Sequence, residues 1–394
     1  METYVTRQGI LFVSHDAARA GAQIELFHLL KWFKKHGNRP FAVLLGGNGE
    51  LVPDFEELAS TWSSDHSHWH PYSHRANLLV ALGLGSWARR AEAADVQKFA
   101  AKIDPVLIYT NSIASARIVE VLAPRVPVLT HVHELESHFR APSPALNRLL
   151  RQTRQFIACS NATADNLVNA QKIAPNRIET VHESIPIDQV RAERTREQVL
   201  QELQIPQDAQ LIFGCGTPCW RKGTDLFIHL ARAVCQQRNR AYFVWIGGGS
   251  VTDMAQFERD VRLTSLAEKI RFTGPVTKPY DYMAAGEIFV LTSREDPYPL
   301  VGLEAAALRK PIVCFAGAGG MMEFIEEDCG FVVPYLDIMA MADRAIWLLD
   351  KPEYQRSLGE AARQKVEQRH DIHVAGPQIM QIIERTIAGG REAC

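Results

Sequence analysis

Two carboxylates in the C-terminal half, Asp296 and Glu304, have the type and spacing needed to bind a polyol at two points. Seven residues separate them: Asp296 lies in a turn after the strand-like run EIFVLTS, and Glu304 lies in the first turns of a helix predicted to begin near Leu300. Carboxylates accept hydrogen bonds from sugar hydroxyls, and unpaired N–H groups at a helix start attract phosphate. The alternative interpretation is that acidic residues at this place only favour the helix dipole.

A basic turn in the stretch WRKGTDLF provides the positive charge that a phosphorylated ligand would need. Arg221 and Lys222 precede Gly223, which permits close approach, and the helix TDLFIHLARAVCQQR follows. The turn therefore predicts a diphosphate site. A solvated Arg-Lys turn with no ligand is the alternative.

Two groups near strand ends in the N-terminal half could complete such a site. Gly21 and Ala22 lie in HDAARAGAQIEL, where small side chains let backbone N–H groups approach a phosphate. His133 and Glu134 end the strand-like run VPVLTHVHE, and an imidazole there can hydrogen-bond a sugar hydroxyl. The alternatives are a loop without function, because a full GxGxxG pattern is missing, and a histidine that only packs at a strand end.

Two further clusters are weaker indications of chemistry. WIGGGS is similar to a dinucleotide-binding loop, but no acidic residue ends a strand about 20 residues later, so an NAD enzyme is not expected. The stretch SSDHSHWHPYSH has alternating histidines without a closing ligand, and we predict no metal site there; an acceptor-side loop is the preferred alternative. These histidines are His66, His68, His70 and His74.

Parallel sheets covered by helices are the elements expected to position these residues. Apolar runs alternate with amphipathic stretches in both halves of the chain, which predicts an α/β fold of two doubly wound, Rossmann-like domains. Such sheets bind ligands at the carboxyl ends of their strands, so the site is expected in a cleft between the domains. The runs are GILFVS, FAVLLGG, PVLIYTNS, VPVLTHVHE, QFIACS and RIETVHE, then QLIFGCG, YFVWIGGG, IRFTGPV, EIFVLTS, KPIVCFAG and CGFVVPY.

Composition excludes several classes of protein. The 394 residues carry a formal net charge of −2 and are 46% hydrophobic, which argues against nucleic-acid binding and against disorder. The seven cysteines form no CxxC pair, and the N-terminal apolar run is too short for a signal or a span, so a cytoplasmic location is expected. A basic, partly apolar face gives the additional expectation of peripheral contact with an inner membrane surface. Its residues are Arg140, Arg148, Arg151 and Arg154 around Leu146, Leu149 and Leu150.

The C-terminal half resembles the donor-binding signature of the retaining glycosyltransferases of family four. The matching features, in order, are Asp296, Glu304, the small-residue helix AAALRK, the strand PIVCF, the turn AGAGG, Glu323 and GFVVP. The resemblance implies that Glu304 binds the ribose hydroxyls of a nucleotide and that Asp296, where the family usually has Glu, contacts the transferred sugar. It also implies that backbone amides around Pro299, Leu300 and Val301 meet the phosphates or the sugar.

The same resemblance extends to the other candidate residues. Lys222 of the RKG-type turn is expected to bind the diphosphate. The family often has an arginine where this chain has Thr217, and we suggest that Arg221 makes the second cationic contact instead. Gly21 is expected in the loop that closes over the donor, and His133 in the lining of the active site.

The resemblance implies the GT-B architecture and the retaining transfer of a hexose-type sugar from a UDP- or GDP-sugar to an acceptor hydroxyl, without a metal or other cofactor. The acceptor is expected to be a glycan or a lipid-linked glycan in glycan or polysaccharide biosynthesis. We predict an acceptor-side domain over 1–186, a linker over 187–208, a donor-binding domain over 209–370 and a helix over 371–394 that returns to the first domain. A GT-B-type epimerase or phosphorylase and a non-catalytic glycan-binding subunit stay open as alternatives.

Overall fold

The computed structural model describes residues 8–64, 85–141 and 143–391. The described chain divides into two compact units. The first holds the residues up to His182 and those from Ala375 onward, and the second holds Glu183–Val374.

The first unit is built on a parallel sheet whose strands are short apolar runs buried on both faces. In the described residues its seven strands lie in the order β3-β2-β1-β4-β5-β6-β7, so the chain reverses its direction of winding beside β1. Central strands covered by helices on both faces are apolar at successive positions, as in ILFVS and FAVLL. The strands are β1 (Ile10–Ser14), β2 (Phe41–Leu45), β3 (Ser60–Ser63), β4 (Leu107–Asn111), β5 (Val128–Val132), β6 (Thr153–Ala158) and β7 (Ile178–Thr180).

Amphipathic helices cover this sheet. In α1 (Gly21–His36), Leu26, Leu29, Leu30 and Phe33 recur at helical spacing and are buried, and the helix ends at Gly37, whose N–H bonds to the carbonyl of Phe33. The other α-helices in the described part of this unit are α2 (Val52–Leu58), α3 (Gly85–Ile103), α4 (Ala116–Leu122), α5 (Glu136–Phe139), α6 (Pro144–Gln152) and α7 (Asn161–Asn169).

The second unit repeats the same plan. Its strands, all parallel, lie in the order β10-β9-β8-β11-β12-β13 within the described part of the chain. Phe227 packs edge-on against Trp245 with ring centroids 5.1 Å apart, which fixes the helix after β8 on the sheet. The strands are β8 (Gln210–Cys215), β9 (Ala241–Ile246), β10 (Ile270–Phe272), β11 (Ile288–Leu291), β12 (Ile312–Phe315) and β13 (Gly330–Val333).

Nine helices belong wholly or in part to this second unit, among the residues that are described. They are α8 (Arg196–Glu202), α9 (Thr224–Cys235), α10 (Val251–Leu263), α11 (Pro279–Ala285), α12 (Leu300–Ala307), α13 (Met321–Ile325), α14 (Ile338–Leu349), α15 (Pro352–Arg369) and α16 (Ile372–Arg391). None of the helices in the described ranges is long and apolar enough to cross a membrane.

The segment 187–208, expected as a linker, contains the helix α8 and belongs to the second unit. A reciprocal cap between Thr195 and Gln198 begins this helix. The backbone N–H groups of Glu193 and Arg194 donate to Oδ1 of the buried Asp281 on α11, over 2.7 and 3.1 Å. The segment is therefore packed against the rest of its unit.

The last helix leaves the second unit after Val374, and its remaining described residues are part of the first unit. Arg39 forms two hydrogen bonds of 2.7 Å with the carboxylate of Glu384, in the bidentate geometry that is the strongest for this pair. Gly376 lies against the ring of Trp32, where a Cβ atom would approach within 2.6 Å. Overall, the prediction of two doubly wound, Rossmann-like domains is confirmed.

Candidate active site

The carboxyl ends of β8 and β11 are adjacent in the second sheet, and this brings the basic turn beside the segment that carries Asp296. β8 and β11 are neighbouring parallel strands at the point where the order of winding reverses. Gly223 has φ of +66°, and a Cβ atom there would lie 1.9 Å from the carbonyl oxygen of Thr292. Only glycine therefore allows the two loops to approach this closely.

Asp296 is buried and is held by two cations from the basic turn. Its Oδ2 atom lies 2.6 Å from Nζ of Lys222, and its Oδ1 atom lies 3.4 Å from Nη1 of Arg221. Ser293 donates its hydroxyl to the same carboxylate over 3.0 Å. Burial disfavours the charged carboxylate, but Lys222 and Arg221 outweigh it and hold the pKa of Asp296 below its ordinary value. Asp296 is therefore an anion with a fixed orientation.

Thr217, the residue at the place of the family's second arginine, is exposed on the loop after β8. Arg221 reaches the acidic segment from the same loop, because its guanidinium also donates to the backbone carbonyl of Glu295 over 2.8 Å. The structure thus brings Arg221 and Lys222 to one carboxylate, and the replacement of the missing arginine by Arg221 stays a prediction.

Glu304 lies in the second turn of α12 and accepts a hydrogen bond of 3.1 Å from the hydroxyl of Tyr280. Desolvation raises the pKa of Glu304 to about 7, although the Tyr280 hydrogen bond opposes the shift. Tyr280, at the start of α11, was not singled out from the sequence. The sequence feature that points to Tyr280 is the preceding Pro279, which marks the first turn of a helix just before β11.

Pro299 precedes the first residue of α12, and its side chain makes no capping hydrogen bond to the first turn. The N–H groups of Leu300 and Val301 belong to this turn, and groups at that position have no intrahelical acceptor. They are the donors that a phosphate or sugar oxygen could use at this end of the helix. Pro299, Leu300 and Val301 therefore lie at a helix start, three to five positions after Asp296 in the sequence.

Asn111, at the end of β4, connects the two groups of candidate residues in the first unit. Its amide nitrogen donates to the carbonyl of Ala22 over 2.9 Å, and its amide oxygen lies 3.0 Å from Nε2 of His133. Gly21 starts α1 beside Ala22, and open space surrounds the position of its missing Cβ atom. The small-residue loop and His133 are therefore brought together at one edge of the sheet, through a residue that sequence reasoning missed.

Glu134 is buried and orients the backbone around His133. Its carboxylate accepts the hydroxyl of Ser112, the N–H of Ile113 at 3.3 Å and the N–H of His133 at 3.0 Å. Three donors to one carboxylate satisfy most of its capacity as an acceptor. Glu134 thus fixes the turn after β4 against the end of β5.

A buried polar cluster lies next to His133. The Nδ1 atom of His131 is 2.7 Å from the hydroxyl of Tyr109 and 3.9 Å from a carboxylate oxygen of Glu25. Burial, helped by the nearby His133, lowers the pKa of His131 well below its ordinary value, so its imidazole is neutral.

Glu25, His131 and His133 each offer one potential ligand atom within 4.8 Å of the others, the kind of donor set that zinc takes. In this structure Nδ1 of His131 is hydrogen-bonded to Tyr109, and Nε2 of His133 is hydrogen-bonded to Asn111. The absence of a metal requirement stays a prediction. The cluster His66, His68, His70 and His74 lies outside the described residues.

The expectation that the leucines of α6 contribute to a surface face is wrong, whereas peripheral contact with a membrane stays a prediction. Leu146, Leu149 and Leu150 are buried in the core of the first unit, because the apolar side of this amphipathic helix packs onto the sheet. Two of the surrounding arginines pair with carboxylates: Arg140 with Glu136, and Arg148 with Glu120.

Comparison with protein families assigns both halves of the chain. Residues 20–189 match the family described as Glycosyltransferase Family 4, and residues 195–365 match Glycosyl transferases group 1. The two parallel sheets with their covering helices define the fold as GT-B, the class of the solved structures that this chain resembles. Within that class, the chain belongs to glycosyltransferase family four.

Two curated relatives illustrate the range of the family. The D-inositol 3-phosphate glycosyltransferase of Streptomyces scabiei is 25% identical over 241 residues, covering 57% of this chain and 54% of the relative. The N-acetyl-alpha-D-glucosaminyl L-malate synthase of Bacillus anthracis is 24% identical over 254 residues, covering 63% of this chain and 65% of the relative. The matches thus span between half and two thirds of the relatives' length.

A solved structure matches almost the whole chain. The crystal structure of HepE from Anabaena in complex with UDP-glucose superposes with a TM-score of 0.78 at 19% identity. The match covers 96% of this chain and 99% of HepE. At this identity the likeness establishes the fold.

Proposed function

We propose that the protein transfers a hexose-type sugar from a UDP- or GDP-sugar to an acceptor hydroxyl, with retention of configuration at the anomeric carbon. The observation that carries the proposal is the buried Asp296 carboxylate paired with Lys222 and Arg221, in the same unit and on the same acidic segment as Glu304. Such a grouping supplies acceptors for hydroxyls and cations for a diphosphate.

Each group has one role in donor binding. Glu304 accepts the ribose hydroxyls, Asp296 accepts a hydroxyl of the transferred sugar, and Lys222 binds the diphosphate. An ammonium group has three donors, so Lys222 can keep its bond to Asp296 while it binds a phosphate oxygen. The ion pair therefore orients Lys222 and leaves N–H donors of its ammonium group for the phosphate.

Arg221 and the first turn of α12 complete the diphosphate site in this proposal. The leaving nucleoside diphosphate gains negative charge as the glycosidic bond breaks, and fixed cations and N–H dipoles stabilise that charge. Arg221, Lys222 and the amides of Leu300 and Val301 are such groups. They support a transfer that needs no divalent metal.

His133 acts on the acceptor side, held by Asn111 and by its own N–H bond to Glu134. We assign no carboxylate in the described part of the first unit as a nucleophile. The acceptor hydroxyl instead attacks on the face from which the diphosphate departs, and a phosphate oxygen takes its proton.

The named acceptors of the two relatives, an inositol phosphate and L-malate, support a hydroxyl acceptor here and a role in glycan or glycoconjugate biosynthesis. Free thiols at all described cysteines support action in the cytoplasm.

A donor screen tests this proposal. The protein is incubated with UDP- and GDP-hexoses and a panel of hydroxyl acceptors, and mass spectrometry detects a mass gain of one hexose. The anomeric coupling in the proton NMR spectrum of the product then gives the stereochemistry. An inverted product, or isomerised donor with no transfer, would contradict the assignment.

A further inference from the structure

A cavity of about 510 Å³ opens in the first unit, outside the residues assigned above to the donor. This volume is within the range of small-ligand sites. Most of its wall is small and apolar, formed by Ile113, Ala114, Ala116, Ala141, Ala145 and Leu146. Because charged side chains are few on this wall, each one strongly affects the charge of the ligand that the cavity can bind.

Glu134 forms part of the same wall and is bonded to the backbone of His133, whose side chain does not line the cavity. One carboxylate oxygen accepts the N–H groups of Ile113 and His133, and the other accepts the hydroxyl of Ser112. A carboxylate has about four acceptor positions, so one remains for a ligand hydroxyl. A hydroxyl group of a bound molecule is therefore favoured at this end, next to His133.

Arg117 supplies the opposite charge. It lines the cavity and is exposed, and it makes no ion pair or hydrogen bond with any residue in the described ranges. Glu120, the other acidic residue of the wall, is already paired with Arg148 at 3.2 Å. Ser143 caps the first turn of α6 by accepting the N–H of Leu146. The unpaired guanidinium is thus the main positive charge available to a ligand.

We propose that this cavity is the acceptor pocket and that it selects an acceptor with a phosphate or carboxylate group, bound by Arg117. The fixed charge of Glu134 repels an anion from its end of the cavity, and Arg117 attracts one to the other end. The acceptor is thereby oriented with its anion at Arg117 and a hydroxyl toward Glu134 and His133. The inference rests on the proposed function, because it names the acceptor of that reaction.

Calorimetry on the full chain tests the proposal with three probes: D-inositol 3-phosphate, L-malate and uncharged myo-inositol. We expect at least one anionic probe to bind, and myo-inositol to bind at least tenfold more weakly. Arg117→Gln should weaken binding of the anion by about ten- to a hundredfold, the loss typical of one charge-assisted contact. The phosphate and carboxylate arms show which anion is preferred.

Two variants serve as controls. Arg125→Gln removes another exposed arginine of the same unit that does not line the cavity, and it should leave anion binding unchanged. Ala145→Phe places a ring in the cavity and should abolish binding of every probe, while thermal unfolding shows whether it folds.

The outcomes separate this inference from the proposed function. Equal effects of Arg117→Gln and Arg125→Gln, equal affinity for myo-inositol and the anions, or no binding of either anion would overturn the inference. UDP and GDP titrations in parallel report on the donor site alone. Loss of nucleotide binding with intact anion binding would overturn the proposed function and leave an anion pocket.

Discussion

The ammonium of Lys222 lies 2.6 Å from the buried carboxylate of Asp296, so the residue assigned to the diphosphate and the residue assigned to the sugar form one ion pair. A lysine held in this way is oriented before the donor arrives, which reduces the entropy lost on binding. Removing it also leaves the carboxylate with Arg221 as its remaining cation.

Lys222→Ala should lower the turnover number by about 100- to 1,000-fold, because one stabiliser of leaving-group charge is lost. Steady-state kinetics at saturating donor measure this effect. Lys278→Ala is the matched control, since Lys278 is exposed and pairs with Glu193 elsewhere in the same unit. An unchanged turnover number in Lys222→Ala would show that the lysine has no role in the chemical step.

Arg221→Ala tests whether Arg221 replaces the arginine missing at Thr217. Its guanidinium contacts both Asp296 and the carbonyl of Glu295, so it is held beside Lys222. We expect a loss of turnover comparable to that in Lys222→Ala, measured in the same assay. A variant with normal turnover and weaker folding would instead assign Arg221 to the support of the loop.

Glu304→Gln should weaken nucleotide binding by about 1.5–3 kcal/mol, because an amide replaces a charged acceptor at the ribose. Since the pKa of Glu304 is about 7, parent affinity should rise as the pH increases through that value, and this rise should vanish in the variant. Calorimetry below and above pH 7 measures both effects. If the variant binds nucleotide as tightly as the parent, Glu304 does not contact the ribose.

The raised pKa of Glu304 also affects the free energy of unfolding of the protein without ligand. The folded carboxyl of Glu304 holds its proton to a higher pH than the unfolded one, so folding loses stability as the pH rises toward 7. Glu304→Gln removes this loss, and its Tm above pH 7 should be at least that of the parent. A lower Tm would mean that weaker nucleotide binding reflects damage to the fold.

Tyr280→Phe should move the pH dependence of nucleotide binding to higher pH, because the tyrosine hydroxyl stabilises the charged form of Glu304. The same calorimetric series measures the shift. Tyr335→Phe, which removes a hydroxyl bonded to the carbonyl of Arg294, is a control on the same unit. Identical pH profiles for the parent and Tyr280→Phe would remove Tyr280 from the site.

Activity should survive EDTA, because cations and helix amides are placed to neutralise the diphosphate. Turnover is measured before and after chelation and dialysis. Abolition by EDTA with rescue by Mn²⁺ would contradict this expectation. It would direct attention to Glu25, His131 and His133, and to the histidines at 66–74.

The sequence was sufficient for twelve of the thirteen described strands and for residues whose relation is local. It missed β3, because STWS has no continuous apolar run and its first residue is exposed. The buried runs appear as strands because both faces of a parallel sheet are apolar. Asp296 and Glu304 share one segment, and Lys222 follows a neighbouring strand, so topology alone brings them to one edge of the sheet.

Hydrogen bonds between segments that are distant in the sequence could not be predicted from it. Asn111 is 89 residues from Ala22, and Tyr280 is 24 residues from Glu304 on another helix, so spacing gives no indication of either hydrogen bond. The leucines of α6 show the opposite failure. Their periodicity predicts an apolar face, but only the structure shows that the sheet covers it.

The most direct test of a donor site in the second unit is a calorimetric titration of the parent protein and Lys222→Ala with UDP and GDP, without metal. The proposed function requires that one of the two nucleotides bind the parent at one site and bind Lys222→Ala more weakly. If neither nucleotide binds the folded parent protein, the second unit is not a nucleotide-sugar donor site and the assignment of a glycosyltransferase activity is wrong.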